Sequence, residues 1–190
     1  MSQFDPHTWF LDAIRYFRAF GFFESHRQLS DHELGEMIKS HWYGDWEQFL
    51  AGVSDRPSAD QLLLVADTQR VWWHDLEGVY RGANFYPDVL NEWAVISRGQ
   101  FISEQTQETW QGEDGPVEVN FVLNGRRHTF VHQSGDFLDH GILGLINQAV
   151  ANTPFRYEVA TDFGDSNWIA MLNQAEKKRL VTERGWHFLW

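Results

Sequence analysis

The chain has 190 residues, a formal net charge of −12, 43% hydrophobic and 16% aromatic residues, ten Trp and no Cys. That is ample material for a core, which excludes intrinsic disorder, and it excludes disulfides, thiolate metal sites and thiol nucleophiles, as suits a reducing compartment. The acidic balance argues against nucleic acid, whose phosphates demand a basic surface, and no run approaches the ~18 apolar residues of a membrane span.

The opening MSQFDPHTW carries neither a basic nor an apolar stretch of a secretion signal, so the expectation is a soluble cytoplasmic protein. The charge is unevenly spread. Residues 1–60 hold ten acids against five bases, residues 61–118 ten against three, and residues 119–190 seven of each. The acidic first two-thirds could be ordinary solvation, or a surface that steers a basic partner by long-range attraction.

Asp5-Pro6 predicts a helix start, because Asp caps free N–H groups and Pro lacks only a donor that the first turn does not use. Trp9, Phe10, Ile14, Phe17 and Phe20 recur at helical spacing as a core stripe, and Gly21 supplies the stop. Ser30 and Glu33 fit a capping box for a helix reaching about Ser40. HWYGDWEQFLAG follows, with Trp42, Tyr43, Trp46 and Phe49 crowded together as a packing face or, alternatively, a sugar-stacking platform. SDRPSAD, residues 54–60, reads as a linker between a helical region at 1–53 and an α+β domain at 61–190.

Leu62 to Ala66 and Arg70 to Trp73 are short apolar runs separated by a turn at Asp67-Thr68-Gln69, and WWHDLEG leads into an irregular segment. Pro87 to Ile96 predicts a helix with Val89 or Leu90, Trp93 and Ile96 inward and Gly99 as its stop; residues 103–115 read as polar loop with Trp110 as an isolated anchor. Val117, Val119, Phe121 and Leu123 then alternate with polar neighbours, Asn124-Gly125 suits a type I′ turn, and Arg126 to Val131 returns. Beyond this hairpin, Asp136 or Asp139 can cap a helix through Ile142, Leu145, Ile146 and Val150. Phe155–Ala160 and Trp168–Leu172 form a second strand pair joined by TDFGDSN, and Asn173 to Glu176 opens a last helix ahead of Gly185. The order from residue 117 is ββαββα, so the fold class is α+β, an N-terminal helical region followed by an antiparallel sheet with helices on one face.

Catalytic signatures are sparse. There is no HExxH, G-x-S-x-G, G-x-G-x-x-G or G-x-x-x-x-G-K-[ST]. His128 and His132 on one strand stand roughly 13 Å apart, too far for one ion. Asp136, Asp139 and His140 could offer a divalent cation three ligands, though acids at a helix start also cap it. His74-Asp75 could be an acid–base pair, but neighbours on a strand face opposite ways. The reading is therefore no catalytic residue, no metal and no cofactor.

RVWWHD at Arg70, NEWAVISRG at Asn91, VEVNFVLNGRRH and the closing EKKRLVTERGW give residues from Arg70 onward a resemblance to a family of small bacterial proteins, similar in character to immunity proteins that neutralise polymorphic toxins. The resemblance implies a protein partner and no active site. Steering acids and aromatic anchors then name the expected partner-binding set: Asp67, Trp72, Trp73, Asp75, Glu77, Glu113 and Asp114, directed at a basic toxin domain. The alternatives are a metal-assisted hydrolase using Asp136, Asp139 and His140, and a carbohydrate-binding module using Trp42 and Trp46.

Overall fold

The computed structural model describes residues 5–42, 46, 52–75, 77–133, 136–163 and 166–189. The Tyr43 and Phe49 of the aromatic cluster and the Gly164-Asp165 centre of the TDFGDSN connection lie outside them, as do the side chains of Asp75 and Asp136. Two compact units are present: residues 1–71 with 175–187, and residues 72–174 with 188–190.

The first unit is helical. α1 (Pro6–Arg18) buries Trp9, Phe10, Ala13, Ile14 and Phe17, as the sequence stripe predicts, and the chain leaves it through Gly21 at φ 77°. α2 (Asp31–His41) opens with the expected capping box: the Glu33 N–H donates to Ser30 Oγ at 3.2 Å and the Ser30 N–H to Glu33 Oε2 at 2.8 Å.

The segment read as a linker is instead the start of α3 (Arg56–Leu64). Asp55 caps it by accepting from the Ser58 N–H at 2.9 Å, and Pro57 sits in the first turn. Polar residues and a proline mark a helix start here, the same signal that opens α1. The boundary of the helical unit accordingly falls at Val71, well beyond residue 53.

α3 carries Asp60, which is fully buried and receives four donors. Trp9 Nε1 donates to Oδ1 at 2.8 Å, Trp186 Nε1 to Oδ2 at 3.2 Å, and Arg184 grips both oxygens through Nε at 2.7 Å and Nη2. The Arg184 guanidinium also lies 4.9 Å from the Tyr16 ring centroid and 5.5 Å from that of Phe17. This knot explains why the C-terminal helix α6 (Gln174–Arg184) joins the N-terminal unit instead of the domain it follows. Burial pushes the Asp60 carboxyl up, and the guanidinium and indoles oppose that shift. The ionised form fits the geometry, because a carboxyl proton would face only donors.

The second unit is α+β, with two three-stranded antiparallel sheets, β1 (Val71–Asp75)–β8 (Ser166–Asn173)–β7 (Phe155–Phe163) and β3 (Glu104–Trp110)–β4 (Val117–Leu123)–β5 (Arg126–His132). A two-stranded ladder joins β2 (Glu77–Val79) to β6 (Asp136–Phe137). The ββαββα order holds from residue 117, with β6 added, and the strands distribute over separate sheets rather than one. Asn124 and Gly125 both have positive φ, 54° and 72°, as the type I′ turn requires. β4 alternates buried and half-buried along its length, which sets its inner face as Val117, Val119, Phe121 and Leu123.

The polar stretch read as loop is largely β3. It pairs with β4 from Trp110 opposite Val117 to Glu104 opposite Val122, with a register shift near Gln105, whose φ is 53°. As the edge strand of an otherwise solvated sheet face it needs few apolar residues, which hides its two-residue period.

Two helices complete the unit, α4 (Phe85–Ile96) and α5 (Gly141–Ala149). α4 buries Val89, Leu90, Trp93 and Ile96 as expected. The Tyr157 hydroxyl of β7 donates to the Trp93 carbonyl at 2.6 Å. Asn147 of α5 bonds both backbone groups of Tyr157, at 2.9 and 2.8 Å, which fixes α5 against β7. No helix among the described residues is long and apolar enough to cross a membrane.

Removing Asp60 leaves a nearly buried guanidinium without its counter-charge. We expect Asp60→Ala to lower unfolding stability by about 3–5 kcal/mol, read as a shifted urea midpoint with unchanged slope. A loss under about 1 kcal/mol would mean the knot is no more than a surface ion pair.

Candidate functional site

Of the seven residues expected to meet a partner, the side chain of Asp75 lies outside the described residues, and the other six separate into two groups. Asp67 is 2% exposed and accepts from the Phe23 N–H at 2.5 Å, holding that residue in its left-handed conformation at φ 59°. Its carbonyl also accepts from the N–H groups of Arg70 and Val71, both at 2.9 Å. Burial raises its pKa, against the pull of the Phe23 N–H and Arg70. Asp67 therefore braces a turn and is corrected from docking acid to structural residue.

Trp72 is corrected likewise. It is 5% exposed, its Nε1 donates to Glu92 Oε2 at 2.6 Å, and its ring meets Trp93 edge-on at 5.8 Å and 86°. A buried indole with a satisfied N–H anchors the core of its unit and cannot serve as a protruding hot spot. The His74 ring stacks on it at 5.6 Å, so the i, i+2 pair shares one face of β1. Trp73, between them on the opposite face, is half-buried. Glu77, Glu113 and Asp114 are exposed.

Sequence reasoning passed over further acids on the same unit. Asp88 and Glu92 lie at i, i+4 on the exposed side of α4, followed at i+7 by Val95, which is 52% exposed. Glu104 begins β3 and is exposed. Among the described residues, Asp88, Glu104, Glu113 and Asp114 form no ion pair. The helical unit, in contrast, pairs Asp31 with Arg18 at 2.8 Å, Glu36 with Lys39 at 2.9 Å and Glu183 with Arg179 at 2.9 Å. Periodicity could have placed Asp88 and Glu92 outside α4, but only strand pairing puts Glu104 on an edge.

Other acids of this unit are used internally, as Glu92 is by Trp72. Glu108 of β3 accepts the Tyr86 N–H at 3.2 Å and the Trp110 indole at 3.2 Å, capping α4 in place of Asn84, whose side chain makes no cap bond. The Tyr86 hydroxyl stands 2.9 Å from His132 Nδ1 and accepts from the Asp139 N–H at 3.4 Å. Burial holds the Tyr86 phenol far above its usual range, so it keeps its proton beside His132 Nδ1. Burial also lowers the pKa values of His132 and His140, with Asp139 opposing in both cases.

Among the described residues neither alternative chemistry is assembled, and the Asp136 side chain lies outside them. No group of three or more His, Asp or Glu able to hold a metal occurs among the described residues. Asp139 Oδ1 accepts the Gly141 N–H at 2.8 Å, a turn bond from the residue before the N-cap position, which His140 holds without a side-chain cap bond. The Trp42 and Trp46 rings are tilted by 48° at 6.5 Å, and Trp46 is 8% exposed against Phe10 at 5.0 Å. That is packing geometry, and it offers a sugar no flat paired platform. No family model, curated protein or solved structure matches the chain.

The histidines give a pH test with a fixed sign. Their folded pKa values lie below the ordinary 6.5, so the unfolded chain binds more protons as pH falls. Their contribution to stability is complete above pH 6.5 and is lost progressively below it. Urea midpoints at about pH 5 and about pH 7.5 should differ less in His132→Gln/His140→Gln than in the native protein; an equal difference would remove both groups as the source.

Proposed function

We propose that this protein is a cytoplasmic binding protein of the immunity type, which captures and occludes a basic toxin domain through the acid-rich surface of its α+β unit. The observation that carries the reading is the set of exposed acids, Asp88, Glu104, Glu113 and Asp114, that no cation of the described residues neutralises. Like charge left without a neutralising cation on one unit sets up a field that draws a basic partner from a distance. Residues 72–118, all in this unit, hold nine acids against two bases, which concentrates the potential there.

The physical division of labour follows from exposure. Glu77, Glu113 and Asp114, with Asp88 and Glu104, act in long-range encounter, where screening is weak at low salt. Apolar contact falls to exposed side chains of the same unit: Tyr80 at 62%, Val95 at 52% and Ile102 at 63%. Trp73, half-buried, is the surviving aromatic of the original set. Trp72 and Asp67 are excluded by burial.

The test is stoichiometric capture of a partner from lysate of the native host, followed by co-expression. A partner carrying a basic domain, toxic alone and harmless beside this protein, is the supporting result. With that complex in hand, Glu113→Lys/Asp114→Lys should slow association about tenfold at low salt and leave dissociation nearly unchanged. Association that ignores both the substitutions and the salt concentration would remove the acids from the mechanism.

A further inference from the structure

A second surface of the α+β unit has the opposite electrostatic character. The tip of the β4–β5 hairpin and the C-terminal end of α5 enclose a cleft of about 580 Å³, within the range that holds small organic ligands. Leu123, Leu145 and Ala149 give it an apolar floor, while Arg126, His128 and Gln148 stand at its polar side. In a chain with 27 acids, no carboxylate lines this cleft among the described residues.

The period of β5 puts the guanidinium there. Arg126 lies opposite Leu123 and His128 opposite Phe121, both on the inner face of β4, whereas Arg127 lies opposite Val122 on the outer face. Arg126 makes no hydrogen bond or ion pair among the described residues. The His128 ring lies on the Phe121 ring at 5.4 Å and 19°, which fixes the imidazole at the cleft wall.

A helix C-terminus would ordinarily repel an anion, since its last carbonyls carry partial negative charge. Here Arg156 sits just past that end, on the C-cap carbonyl and the turn that follows. Its Nη1 donates to Val150 O at 3.2 Å and Thr153 O at 2.9 Å, and its Nη2 donates to Ala151 O at 3.0 Å. The turn beyond the helix end thus holds a fixed cation, and among the described residues no acid lines the cleft beside Arg126.

We infer that this cleft binds a small organic anion, with a carboxylate or phosphate head on Arg126 and an apolar body on Leu123, Leu145 and Ala149. A guanidinium fork matches either head in bidentate fashion, and an apolar floor adds nothing for a bare inorganic ion. This site is separate in chemistry from the acidic surface proposed to meet a protein partner.

Benzoate and phenyl phosphate carry the same ring with the two alternative heads. Titrating each into the full ¹⁵N-labelled chain should give saturable amide shifts centred on Arg126, His128, Gln148 and Ala149, and the tighter probe identifies the head. Arg126→Gln should weaken that probe about tenfold or more, while Arg127→Gln, with the same charge change on the other face, should leave it within about twofold. Ala149→Leu, which fills the floor, should also weaken it, and covers the case in which Arg126→Gln does not fold. Equal losses in Arg126→Gln and Arg127→Gln would reduce the site to diffuse charge. No saturable shift at millimolar concentrations of either probe would overturn it outright.

Discussion

The helical unit depends on one buried carboxylate. Asp60 receives Trp9 from α1, and Arg184 and Trp186 from the end of the chain, while itself belonging to α3. Hydrophobic burial alone would bring these helices together without choosing their register, because it is non-directional. A carboxylate with two oxygens and four donors is directional, and each partner is fixed by the others. Such a group is costly to desolvate, so the knot contributes specificity more surely than net stability. It also decides the chain's topology: α6 follows β8 in sequence but is held by Asp60, and the C-terminal residues Phe188 and Leu189 then return to β7 through the Ala160–Phe188 bridge and the Leu189 N–H to Val159 carbonyl bond.

The α+β unit depends on alternation instead. Along β4 and β5 every second side chain faces inward, and this places Phe121, His128 and His132 inside while Asn120, Thr129 and Val131 face out. The outer face is tied by polar bonds, Thr129 Oγ1 to Asn120 Oδ1 at 2.7 Å and Asn120 Nδ2 to Glu118 Oε1 at 2.6 Å. An antiparallel sheet can afford such a solvated face, which is why β3 folds with only one aromatic in seven residues.

Legibility followed the strength of the local pattern. The hairpin turn, the capping box at Ser30, the inward face of α4 and the β7–β8 pair were all readable, because a turn type, a cap or a period specifies each from within its own residues. β3 was not, since its strand character comes from pairing with β4 and its own composition says loop. α3 was misread for a different reason: Asp-x-Pro is shared by linkers and helix starts, and the buried partners of Asp60 that decide the matter are 51 and 124 residues away. The binding set failed where residue type stood in for exposure. Trp72 and Trp73 are chemically alike and adjacent, yet strand alternation sends one into the core beside Trp93 and leaves the other half-buried.

Charge placement then links the two proposals. Acids in the helical unit are largely absorbed by arginines and a lysine on the same helices or their neighbours, as Asp31, Asp60 and Glu183 show. The α+β unit pairs its acids less, and its cations are committed differently. Arg156 is spent on the carbonyls of the turn just past α5, and Arg98 lies over the Phe155 ring at 4.4 Å. Arg126 and Arg127 remain at the hairpin tip, and the two-residue period divides them between faces. One joins the solvated outer face; the other stands over an apolar floor that no carboxylate of the described residues lines. Two adjacent arginines of the same charge therefore differ in placement through register alone, since a one-residue slip of β5 would exchange them.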